Sequence, residues 1–419
     1  MRSTAADVAG WAGSGAMALT GPADGPPSVV PAGVASAAAA AASDVAVQTA
    51  RWGTAVEVDG PALLGERAAI TGMGRNGSVS VGGASRFVAA ADGWFALSLP
   101  RPDDVAALPA LVSRDVRPDD WSTIERALGS MTGAEVVAQA TLLGLAVGVP
   151  GGDPSPVSPG RELARGGPRQ PTATPLVLDL TSLWAGPLAT SLLMQAGARV
   201  IKVEGRNRPD GARRGAPAFF DLLNHGKECV ALDFSAPADL RLLRCLVAAA
   251  DLVVEGSRPR VMDSLGIDPV VTAARGTSWL SITAHGRTGP AADRIGFGDD
   301  AAVSAGVVVP GDPPMFVADA VADPLAGLSA AAHGAELLAA GRAAVVEVPL
   351  ARAAAWAGSR QFAAPLRPAG NGWEVEVDGE FVPVAEPRHR PVPPPAPRHG
   401  THTAAVRAAF VHDDLVPPG

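Results

Sequence analysis

The stretch Val321-Ala322-Asp323-Pro324-Leu325-Ala326-Gly327 sets one carboxylate among small residues at the expected start of an alanine-rich helix, shortly after Pro313-Pro314. A carboxylate that is held still and partly stripped of water can attack an activated acyl carbon, dividing one difficult transfer into two easier steps. Small neighbours would let a bulky thioester approach. The same residues also suit a plainer role, because Asp is a favoured helix N-cap and Pro fits a first helical turn. Local sequence alone leaves covalent chemistry and capping both open for Asp323.

Composition narrows the setting. The chain has 419 residues, 47% of them hydrophobic and 18% charged, enough for two or three packed domains and too apolar for extensive disorder. A net charge of −8 and the lack of any Lys/Arg run argue against a nucleic-acid partner, which would require a basic face. The two cysteines, Cys229 and Cys245, form no CxxC pair, and the few histidines do not cluster. No disulfide scaffold or metal site is expected, and a reducing cytoplasm fits best. Ala35 to Ala42 is too short and too weakly apolar to span a bilayer, and no targeting signal is read at the N-terminus.

The elements that must hold Asp323 follow from periodicity. Residues 1–150 read as an alanine-rich helix from about Ser36, a short strand Thr54–Val58 and a helical run Pro61–Ile70. Strands at 79–81 and 86–89, an Asp92-Gly93 turn into Trp94–Leu99, and three further helices complete a small α+β unit. Residues 151–174 carry repeated Gly, Pro and Ser without periodicity and read as a linker. From 175 to 360 buried-type strands alternate with helices: Leu176–Leu180, a helix over 185–196, Arg199–Val203, 230–233, a helix over 237–250, Leu252–Val254 and Trp279–Ile282. Such βαβ units imply a doubly wound, Rossmann-like parallel sheet, with ligands expected at the loops starting at Thr181, Glu204 and Glu255. No GxGxxG follows the first strand, which weakens a nicotinamide reading. Residues 361–419 are expected to be a tail that packs back on this α/β domain.

A partial duplication is visible across the linker. Gly25-Pro26-Pro27 through Val34-Ala35-Ser36 matches Asp312-Pro313-Pro314 through Val321-Ala322-Asp323 in spacing, and in each case an alanine-rich helix and a strand-like segment (55–58 or 345–348) follow. Ser36 therefore stands where Asp323 stands, so one active carboxylate per chain is expected.

Several ordered blocks make the chain resemble the family III CoA-transferases, which include formyl-CoA and carnitine CoA-transferases, and the related α-methylacyl-CoA racemases. They are Val177–Thr181 with Ala185-Gly186-Pro187, Gly197–Glu204, Asn224–Lys227 with Ala231-Leu232-Asp233, and Asp251–Glu255 with Pro259 and Leu265-Gly266. Ser281–Thr283, Gly286, Thr288–Pro290 and Arg294 continue the series up to Asp323. More loosely, residues 11–149 resemble the family's latter half, and Gly400-Thr401-His402-Thr403 its C-terminal Gly-x-His-Thr. The order is thus unusual: a front-truncated copy precedes one that lacks most of the small domain.

The resemblance implies that Asp323 forms a mixed anhydride with an acyl group and then an aspartyl-CoA thioester. It implies acyl-CoA and a carboxylic acid as substrates, no prosthetic group, and a homodimer, possibly interlocked. It places Leu183, Trp184 and Ala185 along CoA, offers Arg206 and Lys227 to its phosphates, and adds Arg294 as a further contact, although Arg206 and Arg294 also read as solvated arginines. Gly82-Gly83 is a candidate source of oxyanion donors. Two departures stand out. Gly256-Ser257 replaces the Asn-aromatic pair found in many members, and Phe297 stands where the racemases carry a catalytic histidine. Phenylalanine can move no proton, which favours CoA transfer over racemisation. His225 and His285, nearby in sequence, are expected to be exposed. A 2-methylacyl-CoA isomerase and a non-catalytic CoA-binding subunit are the competing readings. The N-terminal copy is expected to complete the site, within the chain or across a dimer.

Overall fold

The computed structural model describes residues 4–151, 158–358 and 362–411. Its centre is a seven-stranded sheet. In chain order the strands among the described residues are β1 (Ser85–Ala90), β2 (Gly93–Ser98), β3 (Ala146–Gly148), β4 (Arg161–Pro168), β5 (Leu176–Leu180), β6 (Arg199–Gly205) and β7 (Glu228–Leu232), then β8 (Leu252–Glu255), β9 (Ser278–Ser281), β10 (Arg342–Glu347), β11 (Leu366–Ala369), β12 (Gly372–Val377) and β13 (Glu380–Pro383). The large sheet runs β4-β10-β9-β8-β5-β6-β7, with β4 antiparallel to β10 and every other neighbouring pair parallel. From β5 the chain winds to β6 and β7 on one side and then returns to β8 on the other. The order reverses at β5/β8, and the crevice beyond their carboxyl ends is where such sheets take ligands.

Apolar runs such as Val177-Leu178 and Leu252-Val253-Val254 form central strands because both faces of the sheet are covered by helices. The helix Ala185–Gln195 crosses over one face and packs on the helix Ala322–Ala339. Their approach depends on Gly327: a Cβ there would stand 2.9 Å from Ala185 O and from Leu188 Cδ2. The helix Gly33–Thr49 packs on the other side of Ala322–Ala339, so the two alanine-rich helices of the suspected repeat share one core. The antiparallel sheet β1-β2-β3 and the helices Trp121–Leu128 and Gly133–Leu143 enclose a separate small core around Phe95, Leu97 and Ile124.

Three expectations fail for identifiable reasons. Residues 151–174 are more than a linker, since they contain β4. This edge strand, Arg-Glu-Leu-Ala-Arg-Gly-Gly-Pro, has no buried residue and so shows no apolar pattern; backbone pairing with β10 holds it. Thr54–Val58 alternates like a strand yet joins no sheet, because Thr54 N–H donates to Ala196 O and Val56 N–H to Thr49 Oγ1. The run Pro61–Ile70 divides into Gly60–Leu63 and Glu66–Thr71 at Gly65. The final segment closes the other edge of the large sheet. Cys229 N–H donates to His402 Nδ1, His402 N–H to Cys229 O, and Ala231 N–H to Thr403 Oγ1, so β7 offers those groups to no further strand. Upstream, Arg388 pairs with Asp59 and Arg390 with Glu66, which ties this segment to the N-terminal part of the chain. Among the described residues no helix is long and apolar enough to cross a membrane.

Candidate active site

Asp323 is the second residue of the helix Ala322–Ala339 and does not cap it. The N-cap is Val321, which makes no side-chain cap bond, and Asp323 N–H donates to Ala320 O at 2.9 Å. The carboxylate instead lies across the gap between two helix N-termini. It lies near the backbone N–H of Ala185, at the start of the helix Ala185–Gln195, which favours its charged form. Its Oδ2 lies only 2.3 Å from where a Cβ on Gly298 would be, and Gly298 opens the helix Gly298–Ser304. The side chain is half-buried.

Three further carboxylates surround the approach. Asp319, fully buried, receives both Nε (2.9 Å) and Nη2 of Arg67, which comes from the N-terminal helix Glu66–Thr71. The Arg67 guanidinium also stands 5.1 Å from the ring centroid of Trp184, which in turn meets Phe219 edge-on at 5.0 Å. Asp299 accepts Ala320 N–H on one oxygen and Ser85 Oγ–H on the other, joining β1 of the small unit to the loop before Asp323. Asp300 accepts Phe297 N–H, while its Oδ2 is buried without a partner, like His285 Nε2 nearby. The backbone is strained here as well. Of the five described non-glycine residues with left-handed φ, Leu183, Ala318 and Ala320 belong to this site.

Electrostatics follow from this packing. Burial pushes Asp323 up to about 7; Arg67 opposes that, Asp299 and Asp319 reinforce it, and the Ala185 N–H opposes it. A carboxylate of that basicity is a stronger nucleophile than an ordinary one and is still substantially ionised at neutral pH. Asp300 is likewise raised to about 7, chiefly by burial. His285 is pushed down to about 4 by burial and then by Arg294, so it is neutral and largely covered rather than exposed.

The other expected contacts divide. Trp184 and Ala185 are at Asp323, and Leu183 is the exposed, strained turn residue beside them, its N–H donating to Asp210. Lys227 is a different matter. Its Nζ is fully buried and donates to Asp179, Thr190, the Pro187 carbonyl and Asn224 at 2.8–3.1 Å, which leaves nothing for a phosphate. Burial lowers Lys227 to about 8 against the pull of Asp179, and Asp179 is held below the usual carboxylate range because Lys227 and Lys202 outweigh its own burial. The motif thus marks an internal ion pair that fixes β5 to the following helix. Arg206 is half-exposed and shares Asp239 with Arg407, on the side covered by the C-terminal helix. Arg294 donates to Val147 O and thereby secures the loop before Phe297 to β3. Gly82-Gly83 is exposed beside Arg67, a Cβ on Gly82 being 3.1 Å from Nη2. Ser36, the counterpart of Asp323, donates to the buried Asp7.

Sequence reasoning missed Arg67, Gly298, Asp299 and Asp319. It also missed Arg258, in the turn after β8, whose guanidinium is held below its usual range by partial burial and then by Arg260, with Arg101 and Arg208 adding to the effect and Asp293 opposing it. Arg208 follows β6 and Arg101 comes from the small unit, so like charges from three parts of the chain converge beyond the carboxyl ends of the sheet.

The comparison with protein families is decisive at this point: the profile of CoA-transferase family III matches residues 175–388, more than half of the chain. The chain belongs to CoA-transferase family III. This family III chain is 33% identical to the succinyl-CoA:glutarate CoA-transferase of Mus musculus over 141 residues, which are 32% of this chain and 32% of that one. It is 34% identical to the acetyl-CoA:oxalate CoA-transferase of Acetobacter aceti over 133 residues, 30% of this chain and 34% of that one. The solved structure of a CAIB/BAIF family protein from Brucella suis is 29% identical and covers 43% of this chain and 53% of its own, with a TM-score of 0.40. The chain spans about a third of the length of these two curated relatives. Arg67, Arg101 and Ser85 lie outside the matched region, and Gly298, Asp299, Asp319 and Asp323 within it.

Proposed function

We propose that this family III protein is a CoA-transferase that moves CoA from an acyl-CoA donor to a carboxylic acid acceptor, with Asp323 as its nucleophile. The observation that carries the reading is the half-open Asp323 carboxylate, raised to about 7 beside the Ala185 N–H and against the opening left by Gly298. In the first step a carboxylate oxygen attacks the thioester carbon, CoA thiolate leaves, and a mixed anhydride forms. The thiolate then attacks the Asp323 carbonyl and expels the donor acid, leaving an aspartyl-CoA thioester. The acceptor carboxylate attacks this thioester, and the thiolate finally takes the acceptor acyl group and frees Asp323. Each tetrahedral oxyanion needs a donor, and the N-terminal end of Ala185–Gln195 faces the reacting carboxylate. Arg258 suits a phosphate of CoA, because it stands at the mouth of the sheet crowded by the like charges of Arg260, Arg101 and Arg208, of which Arg101 is held by Asp104 and Arg260 by Asp293.

In this reading CoA is a substrate, no prosthetic group takes part, and the compartment is the cytoplasm. A homodimer is the assembly carried over from the resemblance; Arg67 and Ser85 approach the site within one chain, so no partner is needed for that side of it. The test is mass spectrometry after mixing with an acyl-CoA and hydroxylamine, with Asp323→Ala as control. A hydroxamate at Asp323, absent from the variant, supports the proposal. No adduct, together with exchange of the substrate α-hydrogen in deuterated water, would replace it by an isomerase. Neither signal would leave a CoA-binding subunit.

A further inference from the structure

We propose that Arg67, supplied by the N-terminal copy, is a positioning residue that keeps Asp323 in its ionised, attacking form. The inference rests on the nucleophilic role proposed for Asp323. Three observations carry it. First, the guanidinium is fixed from two directions, its Nε and Nη2 on the fully buried Asp319 and its plane near Trp184 at 5.1 Å. Second, Asp319 is turned inward by a strained loop, with Ala318 and Ala320 on either side of it at left-handed φ of 50° and 47°. Such strain persists only where the surroundings enforce it. Third, both partners of Arg67 adjoin Asp323: Asp319 precedes Ala320, whose carbonyl accepts Asp323 N–H at 2.9 Å and whose own N–H is held by Asp299, and Trp184 precedes Ala185, so Arg67 offsets there the charges of Asp299 and Asp319.

The other elements packed on Asp323 bring no comparable charge. The helix Ala185–Gln195 presents a backbone N–H, and the helix Gly298–Ser304 presents Asp299, with Asp300 directed to Phe297 N–H. The helices Gly33–Thr49 and Leu350–Ala357 pack on the same helix as Asp323, but Asp44 is exposed and Arg352 donates to Ser158 O. Without Arg67 the nucleophile would therefore face two carboxylates and a dry wall. A plain structural ion pair between Arg67 and Asp319 would stabilise the fold and leave the titration of Asp323 unchanged, which separates the two roles.

The experiment titrates the Asp323 carboxyl directly by carbon NMR in full-length protein labelled at aspartate Cγ, the resonance being assigned by its loss in Asp323→Asn. The wild-type midpoint is expected near 7. Arg67→Gln should move it up by about 1 pH unit, as loss of a nearby opposite charge does, and Asp319→Asn, which removes a like charge, should move it down. Arg67→Lys should restore most of the wild-type value. The acid limb of kcat/KM for CoA transfer should follow the same order. If Arg67→Gln unfolds, Arg67→Met, which keeps the apolar stem, takes its place: its Asp323 midpoint should rise while that of Arg67→Lys stays near the wild-type value. Folded variants in which the Asp323 midpoint stays put would overturn the proposal. A moving midpoint in a protein that forms no hydroxamate would instead overturn the transferase reading and leave the electrostatic role of Arg67 standing.

Discussion

Replacing Gly298 by alanine tests the site at its tightest point. The new Cβ would stand 2.3 Å from Asp323 Oδ2, 2.4 Å from Ala320 O and 2.8 Å from Ala320 Cβ. Ordinary contact begins near 3.4 Å, so the carboxylate must retreat by about 1 Å. Ala320 cannot easily give way, because it already has left-handed φ and its N–H is held by Asp299. Misplacing a reacting group by about 1 Å costs on the order of 100-fold in rate, or about 2.7 kcal/mol of barrier. The overpacking itself should cost about 1–3 kcal/mol of stability. Single-turnover formation of the Asp323 hydroxamate, with thermal unfolding measured alongside, gives both quantities. Gly10→Ala is the control, since nothing lies within 4 Å of its added Cβ and the position is helical. A folded Gly298→Ala protein with more than a third of wild-type turnover would show that Asp323 does not react from the position it holds here.

Lys227→Met should leave Asp179 buried and under-paired, lowering stability in chemical denaturation by about 3–5 kcal/mol; whatever folded protein remains should bind CoA with unchanged affinity in calorimetry, whereas a phosphate ligand would lose affinity. Asp300 gives a pH dependence of defined sign. Its pKa is raised from 3.8 to about 7, so between those values the folded state binds more protons than the unfolded state and stability falls as pH rises. Asp300→Asn should remove that slope and be the more stable form at pH 8, by on the order of 2–3 kcal/mol, as read by thermal unfolding at pH 5 and pH 8.

Much of the α/β half was legible because parallel strands buried on both faces write themselves as apolar runs, as in Val177-Leu178 and Leu252-Val253-Val254. The edge strand β4 was not, since a strand with no buried residue has no pattern to display. Thr54–Val58 had the pattern but not the partners. Asp323 could be found because ordered blocks lead up to it, and Lys227 could be found for the same reason. Its role could not, because only the fold shows that Asp179, forty-eight positions away, claims its charge. Arg67 carried no local signal at all, its partner Asp319 lying 252 positions downstream. The signal for Gly298 lay in the Asp299-Asp300 pair that follows it in an apolar context, since acids are almost never fully buried unless they are paired.

That separation has a consequence for how the protein is made. The helix Glu66–Thr71 leaves the ribosome long before Asp319 exists, and it is also held by Arg390 at the far end of the chain. Until then the alanine-rich helix Gly33–Thr49 lacks the Ala322–Ala339 surface that covers it. Contacts of such span form late and slowly, so the nascent N-terminal third must wait with apolar surface uncovered. Chaperone demand and the onset of activity should therefore both track synthesis through Arg390, and a chain stalled just after β10 would contain Asp323 yet lack the Arg390 tie that holds Arg67's helix in place.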